Sequence, residues 1–343
     1  MNVSIVGATG YGGLELIRLL KNHPNMKIAS LHTSSKFDRK ISENHTHLLH
    51  EDFVLEEVNP EKIADKSDIV FLATPSGVSA ELVSAFSQVN VKVIDLSGDL
   101  RLKTPGEYEK WYKKTAAPQK IIDSAVYGLS EWNAQQIKEA NIIANPGCYP
   151  TATLLGLAPL FIEGLATEDV IIDAKSGVSG AGKSPSEMTH FSDMNENFKI
   201  YKVHEHQHIP EIEQQLSTWS QNMQPITFTT HLVPMTRGIM ATMYVKVNKR
   251  ISTQELYDLY QTSYNSHPFV RIQRSGQFPV TKQVYGSNFC DIGMAYDERT
   301  GKVTIVSVID NLVKGAAGQA IQNANIMMGL DETAGLSTIP IYP

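Results

Sequence analysis

The 343-residue chain has only two cysteines, Cys148 and Cys290. A disulfide framework is excluded, and a free thiol in a reducing, cytoplasmic setting is the natural reading. No apolar run approaches the roughly 18–20 residues that a membrane span needs. The longest, Thr153 to Ile162, is short and contains Pro159. No basic segment stands ahead of an apolar one at the N-terminus, so no secretory leader is expected. Positive charge is in short supply too: 30 Lys and Arg against 36 Asp and Glu, a formal net charge of −6. That balance argues against nucleic-acid binding, which needs a basic face to neutralise phosphates, but leaves room for a local anion site. Repeats, low-complexity segments and Pro/Ser-rich linkers are absent.

What is present suffices for packed cores. Hydrophobic residues make up 42% and charged residues 19% of the chain, and a length prior of about 150 residues per domain gives two domains. The first half alternates strand and helix: Val3–Val6, helical spacing over Leu14–Leu20, Lys27–Leu31, Asp68–Ala73, a helix over Ser79–Phe86, then Val91–Asp95. Such order predicts a parallel sheet wound with crossover helices. After residue 147 the rhythm changes. Val170–Ala174, Ile226–Val233, Ala241–Val247, Phe289–Tyr296 and Val303–Ile309 read as strands with few helices between them, which predicts a mixed or antiparallel sheet. A last helix is expected from about Leu312 to Met328, with Gly315, Ala316, Gly318 and Ala320 allowing close packing.

The first strand runs into Gly7-Ala8-Thr9-Gly10-Tyr11-Gly12-Gly13 and then a helix. A tight turn, bare backbone and free N–H groups at a helix N-terminus are what a pyrophosphate needs. Where an NAD site carries an acidic residue about 20 positions later, this chain has Thr33, Ser34, Ser35 and Lys36, with Arg39 and Lys40 following. Hydroxyls and cations suit a 2′-phosphate, so NADP is the expected cofactor. The alternative is a plain polar loop.

Asn145-Pro146-Gly147-Cys148-Tyr149-Pro150-Thr151 joins an apolar strand to an apolar helix. Pro150 fits a first helical turn, so Cys148 stands where the dipole and free amides favour a thiolate. Cys290, inside a strand pattern, reads as core. A thiolate nucleophile needs a proton partner, and His204, His206 and His208 lie just ahead of a helix start at Pro210. Spacing alone does not choose among them, and it does not match a metal-binding pattern. Three further segments suit anions: Ser176–Lys183, rich in glycine; Ser97-Gly98-Asp99-Leu100-Arg101 at a strand end; and Arg237 in Pro234–Gly238.

Taken together, GATGYGGLEL (7–16), SGDLR (97–101), YGLSE (127–131), NPGCYPT (145–151), SGVSGAGK (176–183), HQHIPEIEQ (206–214), HLVPMTRGI (231–239) and DNLVKGAAGQAIQN (310–323) resemble the N-acetyl-γ-glutamyl-phosphate reductase family, in family order and over nearly the whole chain. The resemblance implies an α/β Rossmann-type NADP-binding domain (1–147 and 312–343) and an α+β catalytic and dimerisation domain with a mixed sheet (148–311). It implies NADP(H) as cofactor, an acyl phosphate as substrate, inorganic phosphate as co-product, and a homodimer or homotetramer. Cys148 would be the nucleophile, His208 the general acid/base and His206 a substrate contact. Arg101 and Lys183 are expected at the phosphate and Arg237 at the α-carboxylate. Cofactor contacts are expected from Gly7, Thr9, Gly10, Tyr11, Gly12 and Gly13, from Thr33, Ser34 and Ser35, and from Ser179, Gly180 and Asn311. Three positions depart from the family pattern: Gln207 and Lys183 stand where it commonly has Arg, and Ser130 where it has Pro. The lysine-pathway and aspartyl acyl phosphates remain alternative substrates, since one methylene is worth only about 1–3 kcal/mol of discrimination. A non-catalytic NADP-binding sensor is the alternative outside the enzymes.

Overall fold

Strand β1 (Asn2–Val6) is buried from Val3 onward, as a central parallel strand covered on both faces must be. In the computed structural model all residues are described except 35–36 and 221–222, with the backbone alone at 168–169. Two compact units result, Met1–Gly147 with Ala316–Ser337, and Cys148–Gly315 with Thr338–Pro343.

In the first unit β1 is joined by β2 (Lys27–His32), β3 (Arg39–Lys40), β4 (Val54–Glu56), β5 (Ile69–Leu72), β6 (Lys92–Asp95), β7 (Val126–Tyr127) and β8 (Ile142–Ala144). Their order is β3-β4-β2-β1-β5-β6-β8-β7, parallel apart from the β3–β4 edge pair. The strand order reverses between β1 and β5, the switch point beyond which such sheets open a crevice at their carboxyl ends. There the chain turns through Gly7, with φ +84°, into the helix Tyr11–Leu20. A Cβ on Gly7 would lie 2.4 Å from the Ala73 carbonyl oxygen, and one on Gly13 2.4 Å from that of Gly7. Glycine is therefore dictated by backbone packing at both positions.

The second unit holds β9 (Ala166–Gly177), β10 (Lys199–Tyr201), β11 (Thr227–Val233), β12 (Ile239–Val247), β13 (Val270–Ile272), β14 (Cys290–Asp297) and β15 (Lys302–Ile309). They form one mixed sheet, ordered β10-β11-β9-β12-β15-β14-β13. Burial alternates along β12, so Ala241, Met243 and Val245 face the core. The helix Cys148–Ile162 packs against this sheet and is buried at every position from Tyr149 to Phe161.

Two expectations need correction. The strand expected over Val170–Ala174 is longer, since β9 runs from Ala166 to Gly177 before a 3₁₀ turn over Val178–Ala181. The single last helix is a π-turn over Val313–Ala317 followed by an α-helix over Gly318–Met327. Asp310 accounts for that turn. Its carboxylate accepts the N–H groups of Gly286, Leu312 and Val313, and its carbonyl accepts that of Gly315 at 3.0 Å. Residues 312–315 consequently fall with the second unit. So do 338–343, where Ile341 N–H donates to the Tyr285 carbonyl. In the first unit the helix Gly318–Met327 is buried throughout and bonded by its amides. Asn323 Nδ2 donates to the Gly128 carbonyl and to Asn145 Oδ1, and Asn145 Nδ2 donates to the Ala316 carbonyl.

Gly13→Ala is expected to cost about 1–3 kcal/mol, because the methyl group meets backbone that cannot step aside. Urea unfolding measures it, and a wild-type midpoint would refute this account of the turn.

Candidate active site

Cys148 is the first residue of its helix and is partly exposed, while Cys290 is buried with its sulfur 3.3 Å from Ser307 Oγ. The two thiols thus divide into one at a helix N-terminus, where unsatisfied amides favour negative charge, and one in the core. The backbone of Gly315 lies against the first: a Cβ there would stand 2.8 Å from Cys148 Cβ and 3.2 Å from its Cα.

Tyr149 turns away from solvent into a ring cluster with Tyr201, His206, His208 and Phe228. Ring centroids lie 5.4 Å apart for Tyr149–His206, 5.9 Å for Tyr149–His208 and 4.7 Å for His206–His208. Phe228 closes the cluster edge-on to Tyr149 and His206. Tyr201 donates to the Tyr149 hydroxyl at 3.1 Å, and Tyr149 in turn points at the His231 carbonyl at 3.3 Å. Burial first, with the neighbouring Cys148 among the lesser causes, pushes the Tyr201 phenol up to about 12 and that of Tyr149 further still. Both remain neutral hydroxyl donors near neutral pH.

His208 is the N-cap residue of the helix Ile209–Trp219, with Pro210 in the first turn as the sequence predicts. Its backbone N–H donates to His206 Nδ1 at 3.2 Å, which leaves the His206 proton on Nε2. Burial, aided by the Lys202 charge, lowers the His206 pKa to about 3. His206 is thus a neutral donor, set beside a histidine at a helix start. His204 is exposed and lies outside the ring cluster.

The other expected residues are distributed as follows. Asn311 joins Ser179 and Gly238 in the second unit: its Nδ2 donates to Ser179 Oγ at 3.0 Å, and its Oδ1 accepts the Gly238 N–H at 2.8 Å. A Cβ on Gly180 would come 2.9 Å from Ser176 Oγ. Lys183 is exposed at the end of that loop. Arg237 lies 3.6 Å from Asp310 and over the Tyr285 ring. In the first unit Arg101 is buried and donates from Nε to the Asn145 carbonyl and from a terminal nitrogen to that of Leu96. The carboxylate of Asp99 accepts the Gly77 and Ala80 N–H groups and the Tyr108 hydroxyl. Gly10, Gly12 and Tyr11 line the turn after β1, where Tyr11 is exposed. Thr33 is buried and Ser34 exposed, whereas Ser35 and Lys36 lie outside the described residues. Lys40, one of the three cations expected near a 2′-phosphate, binds Asp52 at 2.6 Å. Sequence reasoning did not single out Tyr201, Lys202 or the contact made by Gly315. Tyr201 and Gly315 act through Tyr149 and Cys148, partners distant along the chain, and Lys202 acts through Gln207 by way of a left-handed loop that no spacing rule describes.

Two family models match the chain: "Semialdehyde dehydrogenase, NAD binding domain" over residues 2–140 and "Semialdehyde dehydrogenase, dimerisation domain" over 148–311. An N-acetyl-γ-glutamyl-phosphate reductase of a Geobacillus species is 59% identical over 345 residues, and one of Bacillus cereus is 56% identical over 347, each covering 100% of both chains. Among solved structures, aspartate semialdehyde dehydrogenase II of Vibrio cholerae aligns with a TM-score of 0.72 at 20% identity, covering 96% of this chain and 98% of that one. The Candida albicans aspartate semialdehyde dehydrogenase, solved with NADP, aligns at 0.65 and 16% identity over 95% and 98%. The two solved structures speak for the fold.

Gly315→Ala is expected to displace Cys148 and slow its alkylation by iodoacetamide about 100-fold, the penalty of a misplacement near 1 Å. An unchanged alkylation rate would show that the close approach has no bearing on the thiol. His206 also makes a pH prediction. Its lowered pKa means that the unfolded chain binds the extra proton first. The associated stability is complete above about pH 6.5 and is lost as the pH falls toward 3, with roughly 3 kcal/mol gone by pH 4.5. Thermal melts of wild type and His206→Asn should converge on acidification; parallel pH profiles would contradict it.

Proposed function

The chain belongs to the semialdehyde dehydrogenase family, and we propose that it reduces N-acetyl-γ-glutamyl phosphate to N-acetylglutamate semialdehyde and phosphate with NADPH, a step of arginine biosynthesis. The observation that carries the chemistry is a partly exposed cysteine at a helix N-terminus, in the same unit as a buried pair of histidines, one neutral and one capping a helix. Full-length relatives at 56–59% identity support the choice of acyl phosphate.

The turn from Gly7 to Gly13 fits a dinucleotide. Side chains at Gly7 and Gly13 would collide with backbone, so the surface offered to a pyrophosphate is peptide N–H and little else. Gly7, Thr9, Gly10, Tyr11, Gly12 and Gly13 are assigned to it. Thr33, Ser34 and Ser35 are assigned to the ribose end, and Ser179, Gly180 and Asn311 to the nicotinamide end. When bound, the reduced cofactor supplies hydride to the acyl carbon.

The Cys148 thiolate attacks the γ-acyl carbon. A C–S bond forms, the C–O bond to phosphate breaks, and phosphate departs with the electron pair and takes up a solvent proton. After reduction of the resulting thioester, His208 gives its proton to the oxyanion of the thiohemiacetal. It takes that proton back as the C–S bond breaks and the aldehyde leaves. His206, neutral with its proton on Nε2, donates to a substrate oxygen. Lys183 and Arg101 are assigned to the phosphate and Arg237 to the α-carboxylate. Asp310 already offsets part of the Arg237 charge. A homodimer or a pair of homodimers in the cytoplasm fits the dimerisation-domain match and the two free thiols.

Cys148→Ala should bind NADPH as wild type does and lose turnover by several orders of magnitude; near-normal reductase activity in that variant would overturn the mechanism. Substrate choice is read from phosphate-dependent reduction of NADP, comparing N-acetylglutamate semialdehyde, its one-carbon-longer analogue and aspartate semialdehyde. The first should have the highest kcat/KM. A higher value for either of the others would transfer the assignment to that substrate.

A further inference from the structure

We propose that Lys202 joins Arg237 in recognising the α-carboxylate of the substrate, with Gln207 holding its ammonium group in place. The inference rests on the reductase reading above and adds to it a specificity-determining residue.

Three observations support it. First, Lys202 Nζ donates to Gln207 Oε1 at 2.8 Å, and Gln207 sits between His206 and His208. The ammonium is thereby tied to the one segment that carries both buried imidazoles. Second, its charge has no counter-ion. Among the described residues no carboxylate makes an ion pair with Lys202, whereas Lys175 has Asp173 at 2.8 Å and Arg237 has Asp310 at 3.6 Å. The Lys202 field reaches the site all the same, because it is one of the causes that hold His206 neutral. An unbalanced cation beside neutral donors is a place for a monoanion. Third, the loop adopts an unfavourable backbone to present it. Lys202 has φ +46° and His204 φ +58°, in the left-handed region that side chains other than glycine and asparagine seldom enter. Lys202 directly follows β10, whose Tyr201 hydroxyl donates into the ring cluster, so the strand end and the cluster fix where the lysine begins.

A carboxylate is favoured over a phosphate by what surrounds the group. Lys202 is one point charge beside one amide. A dianion with several oxygens is better suited by the pair assigned to it above, Lys183 and the forked guanidinium of Arg101.

The test is steady-state oxidation of N-acetylglutamate semialdehyde with NADP and inorganic phosphate, repeated with the analogue whose α-carboxylate is a carboxamide. Lys202→Met should raise KM for the carboxylate substrate about tenfold, as expected for one charge-assisted contact. KM for phosphate and for NADP should stay within about twofold, and Lys202→Arg should recover most of the loss. The carboxamide should be a poor substrate for wild type, and Lys202→Met should be no worse on it. Gln207→Leu, which keeps the charge and frees it, should give a smaller rise in KM on the carboxylate substrate alone. Equal losses on both substrates would make Lys202 a loop brace, and a selective rise in KM for phosphate would move it to the other anion; either result overturns the proposal. If wild type oxidises neither semialdehyde, the reductase reading fails and takes this assignment with it. If wild type is active and Lys202→Met matches it on both, only this assignment fails.

Discussion

The site depends on one close approach of backbone to side chain. Gly315 packs against the first residue of the helix Cys148–Ile162 at a distance that leaves no room for a methyl group. That approach exists because Asp310 gathers three backbone N–H groups and the following residues take a π-turn instead of an ordinary helical start. A π-turn inserts one extra residue into a helical path, and such turns recur at functional sites for this reason. The thiol is thus held from two sides within the second unit, by the amides of its own helix and by a glycine brought to it by a buried carboxylate.

The second constraint is electrical. His206 and His208 are neighbours in a cluster walled by Tyr149, Tyr201 and Phe228, with little water to solvate a charge. Burial makes a protonated His206 costly, and a cation nearby makes it costlier. His206 is thereby kept as a neutral hydrogen-bond donor beside His208. Two histidines two residues apart thus sit in different surroundings, one buried and neutral and the other capping a helix.

Much of the fold could be read from the chain because burial on both faces leaves unbroken apolar runs, as in β1 and β5, and because β12 alternates cleanly. The positions of Cys148 at a helix start and of His208 before Pro210 were legible for a local reason: proline in a first turn announces the boundary. The π-turn was not, since Gly315, Ala316 and Gly318 fit a plain helix equally well and only the distant Asp310 carboxylate decides between them. The partners of Arg101 were not legible either. A strand-end arginine suggests an anion, but two of its nitrogens serve the carbonyls of Asn145 and Leu96, one of them 44 residues away. Lys40 is a similar case, with its charge answered by Asp52 in an exposed pair.

These cases bear on how charge is counted at an anion site. Arg101 and Arg237 are the residues a motif search would favour, yet each has a protein partner in hand: backbone carbonyls for one, Asp310 for the other. A cation already engaged gains less from a ligand, because binding must replace what it gives up. Lys202 differs, since among the described residues its ammonium donates to a neutral amide that orients it without cancelling its charge. Between the two histidines stands Gln207, and the charge lies one side chain outward, on the residue that Gln207 grips. Burial first, and the Lys202 charge after it, depress the basicity of the His206 ring, which is the state a fixed donor requires.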